Sequence, residues 1–332
     1  MKLPEKIRIA QLPTPIEKLE RFTKELDLPV ELYMKRDDET GIYATGNKIR
    51  KLEYIVAYAL KHGYDTLVTC GGAQSNHART TAYVATRLGL ETYLVLKGKE
   101  PQVYDGNYLL DKLFGAQVRW ITEEEYSEKI DEIFEEVKEE LGSKGKKPLI
   151  IPEGASYTLG MFGYIEAAKE LNDQLSQMNL KIDYVISSVG SGGTLAGFLV
   201  GQRTFHLETE MYGINVCDDA EFFKDKVLNL FLEFESTYPE YAKGILLARE
   251  DIHIIDGYIG EGYGIPYKEE IDMIKILART EGIVLDPTYT GKAFYGLIDQ
   301  IQKGTFREGT KILFVHTGGI YGIFPQREKF EF

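Results

Sequence analysis

Short apolar, β-branched runs alternate with longer stretches of helical period over most of the chain. Ile49, Leu52, Ile55, Val56, Ala59 and Leu60 recur at helical spacing, and Gly63 closes that helix. Thr66 to Cys70 reads as a strand leading into Gly71-Gly72. A helix from about Ser75 to Leu88, stopped at Gly89, and the strand Thr92 to Leu96 follow. The alternation continues with a helix near 106–114, a strand near 117–122, an acidic helix over 123–141 and the strand Leu149 to Ile151. A second series begins after Gly160 with a helix near 161–177, the strand Tyr184 to Ser188, a glycine loop and a helix from 194. It ends with strands at 212–216 and 252–255, a helix near 267–281, the run Ile283-Val284-Leu285, a helix near 291–303 and the strand Ile312 to Val315. Such alternation predicts an α/β fold: two open, twisted, mainly parallel sheets with helices on both faces.

Length and composition narrow the function. A chain of 332 residues suits two domains or one large α/β unit, and 43% hydrophobic with 27% charged residues are globular values. A net charge of −13 without a basic stripe argues against nucleic acid as a partner. Cys70 and Cys217 form no disulfide framework, and the five histidines fall at no metal-ligand spacing, so no metal is expected. The first residues lack the apolar core of a signal peptide and no apolar run approaches membrane-spanning length. The expectation is a cytoplasmic protein without a membrane partner.

Three segments carry candidate chemistry. In Gly46-Asn47-Lys48-Ile49-Arg50-Lys51, a lysine beside a glycine at a helix mouth can hold its amine near a bound carbonyl. Alone, Lys48 would be a solvated surface residue. Ser188-Val189-Gly190-Ser191-Gly192-Gly193-Thr194-Leu195 is a strand, a glycine turn and a helix start, which suits one phosphate. Leu195 stands where a dinucleotide fingerprint needs its third glycine, and no Gly-Lys-Ser/Thr follows. Asp218-Asp219, after the next strand, keeps a nicotinamide-dependent oxidoreductase as the alternative from another class. In Gly71-Gly72-Ala73-Gln74-Ser75-Asn76-His77, Ser75 or Asn76 is a plain N-cap or a group that holds a carboxylate or cofactor hydroxyl. Tyr263, Tyr289 and His316-Thr317-Gly318-Gly319 lie in loops beyond strand ends, where α/β sheets bind ligands. Lysine, polar cradle and phosphate loop together point to a pyridoxal-phosphate enzyme.

These motifs, with Lys35-Arg36-Asp37, Arg279-Thr280-Glu281-Gly282 and Asp286-Pro287-Thr288-Tyr289, resemble the pyridoxal-phosphate family of 1-aminocyclopropane-1-carboxylate (ACC) deaminase and D-cysteine desulfhydrase. The resemblance spans nearly the whole chain. It implies a tryptophan synthase β-like fold (type II) with a large domain of 1–50 plus 161–332, a smaller inserted domain of 51–160, and the cofactor between them. It also implies a homodimer acting on a small amino acid. Lys48 would carry the cofactor, with Lys51 as second candidate, and Lys48, Ser75 and Tyr289 would be catalytic. Gly190, Ser191, Gly192, Gly193 and Thr194 would hold the phosphate, and Asn76, Tyr289 and Thr317 the rest of the cofactor. Ser75, Asn76, His77, Tyr263 and Thr290 would face the substrate. ACC deaminases of the family resemble one another in a glutamate after the motif tyrosine and a leucine before the late Gly-Gly, where this chain has Thr290 and Thr317. That departure resembles the desulfhydrases and implies α,β-elimination from D-cysteine. ACC deamination and L-cysteate sulfo-lyase activity are the alternatives within the family.

Overall fold

A computed structural model describes residues 2–332, which build two sheets. The strands are β1 (Ile16–Lys18), β2 (Glu31–Lys35), β3 (Thr66–Gly72), β4 (Glu91–Lys97), β5 (Gln117–Ile121), β6 (Pro148–Ile150), β7 (Tyr184–Val189), β8 (Glu210–Asn215), β9 (His253–Ile255) and β10 (Lys311–Val315). The larger sheet has the order β1-β2-β10-β7-β8-β9, parallel except for the β1–β2 pair. The smaller sheet, β5-β4-β3-β6, is wholly parallel. Side chains of period two explain why both faces are covered. On β10, Leu313 and Val315 join one apolar cluster, with helices Thr158–Gln177, Gly193–Phe205 and Ala220–Thr237. Ile312 and Phe314 join the opposite one, under helices Lys268–Glu281 and Thr290–Gln302. In the smaller sheet Val68 and Val95 meet Ile133, Phe134 and Val137, while Leu67 packs with Ile49, Leu52 and Ile55 of helix Lys48–Lys61.

The structure departs from the sequence expectations in three places. Ile283 and Leu285 are buried but form no strand; Pro287 follows closely and cannot donate to a ladder, and the Val284 carbonyl instead accepts from His316 Nε2 (3.1 Å). The acidic helix is two, Glu123–Glu128 and Ile130–Ser143, interrupted at Lys129 (φ −129°). The edge strand β1, its neighbour β2 and the helix Ala220–Thr237 add to the expected series. The expected domain borders at 50/51 and 160/161 fall within helices Lys48–Lys61 and Thr158–Gln177. No helix among the described residues is long and apolar enough to cross a membrane.

A buried ionic network fixes the helix that begins at Lys48. Arg50, fully buried, donates to Asp37 through Nη2 (2.7 Å to Oδ1) and Nε (2.9 Å to Oδ2), and through Nη1 to Glu170 Oε2 (2.9 Å). Thr14 Oγ1 and the Tyr164 hydroxyl also donate to Asp37, and Lys35 Nζ donates to Glu170. A two-point guanidinium–carboxylate pair fixes direction as well as distance. The network joins the end of β2, helix Lys48–Lys61 and helix Thr158–Gln177. The two helices touch backbone to backbone: a Cβ on Gly163 would sit 2.5 Å from the Arg50 carbonyl carbon.

Candidate active site

The carboxyl ends of β3, β7 and β10 open onto one cleft between the sheets, with about 1190 Å³ of free space, its mouth included. Of the residues expected at a site, Lys48, Ser75, Asn76, His77, Gly190, Ser191, Gly192, Thr194, Tyr263, Tyr289 and Thr317 line it. Gly193 opens helix Gly193–Phe205 just behind them. Thr290 does not reach the cleft and is corrected here as a substrate contact. It is fully buried, and its hydroxyl donates to Asp286 Oδ1 (2.7 Å), because the Asp286 carboxylate collects the N–H groups of Thr288, Tyr289 and Thr290 in the turn that opens helix Thr290–Gln302.

Two backbones cross to place Lys48. A Cβ on Gly46 (φ +105°) would lie 2.5 Å from the Thr317 carbonyl oxygen, and one on Gly318 (φ +85°) 2.5 Å from Gly46 Cα. Only glycine permits this approach, and Asn47 N seals it by donating to Thr317 O (3.1 Å). Lys48, the first residue of its helix, therefore projects where β10 ends. Burial pulls its amine down to about 8, while the carboxylates of Glu153 and Asp286 act in the opposite direction. Lys51 is engaged elsewhere. Its buried Nζ donates to Gly154 O (3.1 Å) and Ser156 Oγ (3.3 Å), and Ser156 Oγ pairs with Ser191 Oγ (2.7 Å) of the glycine loop. Burial, then the charge of Lys48, hold its amine well below the ordinary lysine range, and it stands one hydroxyl away from the loop, committed to these acceptors and not facing the cleft as Lys48 does.

The remaining polar groups are oriented by neighbours. Ser75 Oγ accepts from Ala78 N (3.1 Å), so Ser75 is an N-cap that also faces the cleft, its hydroxyl proton left to donate. Asn76 Oδ1 accepts from Asn107 Nδ2 (3.1 Å), which leaves the Asn76 NH₂ free to donate. Thr69 Oγ1 donates to Ile151 O (2.8 Å) and so accepts from His77 Nε2 (2.8 Å). That fixes the proton on Nε2 and leaves Nδ1 a buried acceptor without a partner. Burial, then the charges of Lys48 and Lys51, hold the His77 imidazole well below its ordinary range, so it is neutral. Ser188 Oγ and Thr317 Oγ1 share a hydrogen bond (3.1 Å). The Tyr289 ring lies where a Gly190 Cβ would be (2.9 Å), and burial raises its phenol well above the usual value.

These residues fit pyridoxal phosphate. The first-turn N–H groups of helix Gly193–Phe205 lack intrahelical acceptors and carry the positive end of the helix dipole at the glycine loop. Gly192 (φ +80°) turns that loop, and Thr194 Oγ1 is anchored by Asn47 Nδ2 (3.0 Å). A phosphate held there, a phenolic oxygen met by the Asn76 NH₂ and an aldehyde within reach of Lys48 match the donors present. Bound, the cofactor supplies an aldehyde for an amino group and a sink for electrons from the bond broken at Cα. Glu153 and Ser188 escaped the sequence reading. A carboxylate directly before a glycine at a strand's end, here just past β6, was the available signal for Glu153.

The free amine, not the ammonium, attacks an aldehyde, so cofactor uptake on Lys48 is expected to speed up with pH and level off above about 8. Glu153→Gln is expected to move that inflection to lower pH, since the carboxylate's pull on the ammonium is lost. Stopped-flow absorbance of apo-protein mixed with pyridoxal phosphate measures both. An inflection that stays put in the variant would remove Glu153 from the electrostatics of Lys48.

The family model described as "Pyridoxal-phosphate dependent enzyme" matches residues 7–318. A putative 1-aminocyclopropane-1-carboxylate deaminase of Thermotoga maritima is 43% identical over 326 residues, covering 98% of this chain and 99% of the relative. A mitochondrial bifunctional D-cysteine desulfhydrase/1-aminocyclopropane-1-carboxylate deaminase of Arabidopsis thaliana is 40% identical over 327 residues, covering 96% of this chain and 79% of the relative. A crystal structure of an ACC deaminase homologue superposes with a TM-score of 0.87 at 38% identity, covering 98% of this chain and 95% of the other. O-ureido-L-serine synthase, at 19% identity and a TM-score of 0.67 over 93% of this chain and 90% of its own, shares the fold. With the lysine, the glycine loop and the cleft between two sheets in place, the chain belongs to the pyridoxal-phosphate dependent enzymes, in the family of the ACC deaminases and D-cysteine desulfhydrase.

Proposed function

We propose that the protein catalyses α,β-elimination from D-cysteine, giving pyruvate, ammonia and hydrogen sulfide. The observation that carries this reading is the hydroxyl pair of Ser188 and Thr317 at the ends of β7 and β10. With the ring held in this cleft, these neutral hydroxyls would be the groups to meet its nitrogen. They would leave it unprotonated and the electron sink moderate, whereas a carboxylate would strengthen it. A moderate sink suffices to expel a good leaving group such as sulfide and is poorly suited to opening a cyclopropane. In this reading Lys48 takes the Cα proton once its amine is free, sulfide departs with the C–S bonding pair, and the released enamine hydrolyses to pyruvate and ammonia. Ser75 donates its hydroxyl to the substrate carboxylate, and His77 Nδ1 accepts a substrate proton donor. ACC deamination is the second reading, favoured by the names of the Thermotoga and Arabidopsis relatives.

The smaller domain of 51–160, a homodimer and a cytoplasmic location belong to the same proposal; light scattering tests the dimer. The activity is tested by supplying the cofactor-loaded protein with D-cysteine and ACC in parallel. Sulfide with pyruvate, and little 2-oxobutyrate, is the expected result. Thr317→Leu is expected to slow sulfide release about tenfold, the worth of one hydrogen bond. Turnover of ACC alone would overturn the choice of substrate.

A further inference from the structure

Beneath Tyr263 lies a lysine with no part in the chemistry above. Lys292, on helix Thr290–Gln302, is fully buried, and its Nζ donates to the carbonyls of Ile259 (2.5 Å) and Gly262 (2.7 Å). Both carbonyls belong to segment 256–267, between β9 and helix Lys268–Glu281. Its ends are anchored. Asp256 accepts from Asn215 Nδ2 (3.0 Å) and Ala220 N (2.9 Å), the hydroxyl of buried Tyr258 bonds Asp299 and Gln300, and the Tyr267 hydroxyl donates to Tyr258 O (3.0 Å). Its middle, 259–265, has little besides Lys292 to hold it. One backbone hydrogen bond lies within it, Ile265 N to Gly262 O (3.2 Å), and Gly260 and Gly264 are in the left-handed region (φ +71° and +72°).

The segment carries Tyr263 over the cleft. The Tyr263 and Tyr289 hydroxyls are hydrogen-bonded, with their rings edge to face at 5.7 Å. Lys97 Nζ, at the end of β4 in the other sheet, stands 5.8 Å from the Tyr263 ring centroid. Tyr263 thus spans the gap between the two sheets while 42% of its surface stays exposed.

A buried amine is stable only where acceptors replace water. The obvious counterion, Glu270 on helix Lys268–Glu281, is also fully buried, and neither of its oxygens has a hydrogen-bond donor among the described residues. Burial pushes the Glu270 carboxyl up to about 8, with the charge of Lys292 opposing and that of Asp286 adding to the rise. Burial likewise lowers the Lys292 amine, so each partner of the pair is pushed toward its neutral form, and Lys292 Nζ makes no hydrogen bond to Glu270. The acceptors that keep Lys292 satisfied are the two loop carbonyls, so opening the segment would strand the amine.

We propose that Lys292 is a positioning residue that clamps the middle of this segment, residues 259–265, closed and thereby sets Tyr263 against Tyr289 on the substrate side of the cleft. The proposal rests on the reading that Tyr263 faces the substrate.

The test is a double-mutant cycle in the holoenzyme with Lys292→Met, which keeps the apolar stem and removes the donors, and Tyr263→Ala. Lys292→Met is expected to raise KM for the amino acid about tenfold and change kcat by less than about threefold. Tyr263→Ala should do the same, and the double variant should be no worse than Tyr263→Ala alone, because both remove one effect. Chymotryptic cleavage after Tyr263 in the native protein should be faster in Lys292→Met than in wild type. An unchanged KM and cleavage rate, or losses that multiply in the double variant, would overturn the proposal even if the melting temperature fell. If Lys292→Met does not fold, Lys292→Gln, which keeps a donor for one carbonyl, must still raise KM about threefold; no rise overturns the clamp. If neither D-cysteine nor ACC is turned over, the proposed function fails while the cleavage comparison still decides the clamp.

Discussion

Lys48→Ala is expected to reduce turnover of every amino-acid substrate about a thousandfold or more, the scale of losing a proton-transfer group in the transition state. It is also expected to abolish covalent trapping of the cofactor by borohydride. The glycine loop and the Asn76 amide remain in the variant, so pyridoxal phosphate should still bind, reversibly, and mass spectrometry after reduction should find no labelled peptide. The structure offers no ready substitute: the neighbouring lysine, Lys51, is fully buried and committed to Gly154 and Ser156. Turnover within tenfold of wild type, or a reduced adduct at another lysine, would remove Lys48 from its role. The pH dependence separates the proton-transfer role from mere attachment. A base whose ordinary value of 10.5 has been drawn down to about 8 by burial is increasingly available as pH rises toward that value. The wild-type rate should follow the same limb.

Asp37→Ala is expected to have the largest effect on stability, a loss of about 3–5 kcal/mol, because it strands the buried Arg50 guanidinium. Glu170 and the Thr14 hydroxyl oxygen (3.2 Å) would remain to Arg50, and the Tyr164 and Thr14 hydroxyls would lose an acceptor. Urea denaturation of wild type and variant gives the number, and a loss below about 1 kcal/mol, the scale of an exposed pair, would show that the network relaxes around the gap. The pH dependence has a definite sign. Burial would raise the Asp37 carboxyl, but the Arg50 charge and hydrogen bonds, with Lys35 and Tyr164, bring it from 3.8 to about 2. The unfolded chain therefore binds this proton more readily than the folded one. The stabilisation is complete above about pH 4 and is lost as pH falls toward 2. Activity should fall with it, since the same network anchors the helix that starts at Lys48.

Strands buried on both faces were legible because each is a short β-branched run bounded by glycine or a helical period, as in β3, β4, β7 and β10. β1 and β2 were not, since a three-residue edge strand and the charge-flanked run Glu31–Lys35 carry no comparable pattern. Ile283-Val284-Leu285 shows the converse failure. Its apolar character reflects burial, and burial alone does not supply a neighbouring strand. Within the site, Lys48, the glycine loop and Ser75-Asn76 were visible because glycines and caps mark where a backbone must turn. Thr290 was misplaced for a physical reason: its spacing beside Tyr289 is right, but a helix start sends consecutive side chains in different directions, and Asp286 captured this one.

The sequence by itself determined the alternating architecture and the order of the strand-end loops, and it singled out Lys48 as the candidate lysine, because each depends on local periodicity, glycine and capping chemistry. Only the tertiary structure decided which groups share the cleft. Gly46 against Thr317, Asn107 turning the Asn76 amide, Glu153 acting on Lys48 and Lys292 beneath Tyr263 are contacts between residues 29 to 271 positions apart. Their side chains face one another because two sheets dock, and burial then makes each hydrogen bond and charge count for more than it would in water.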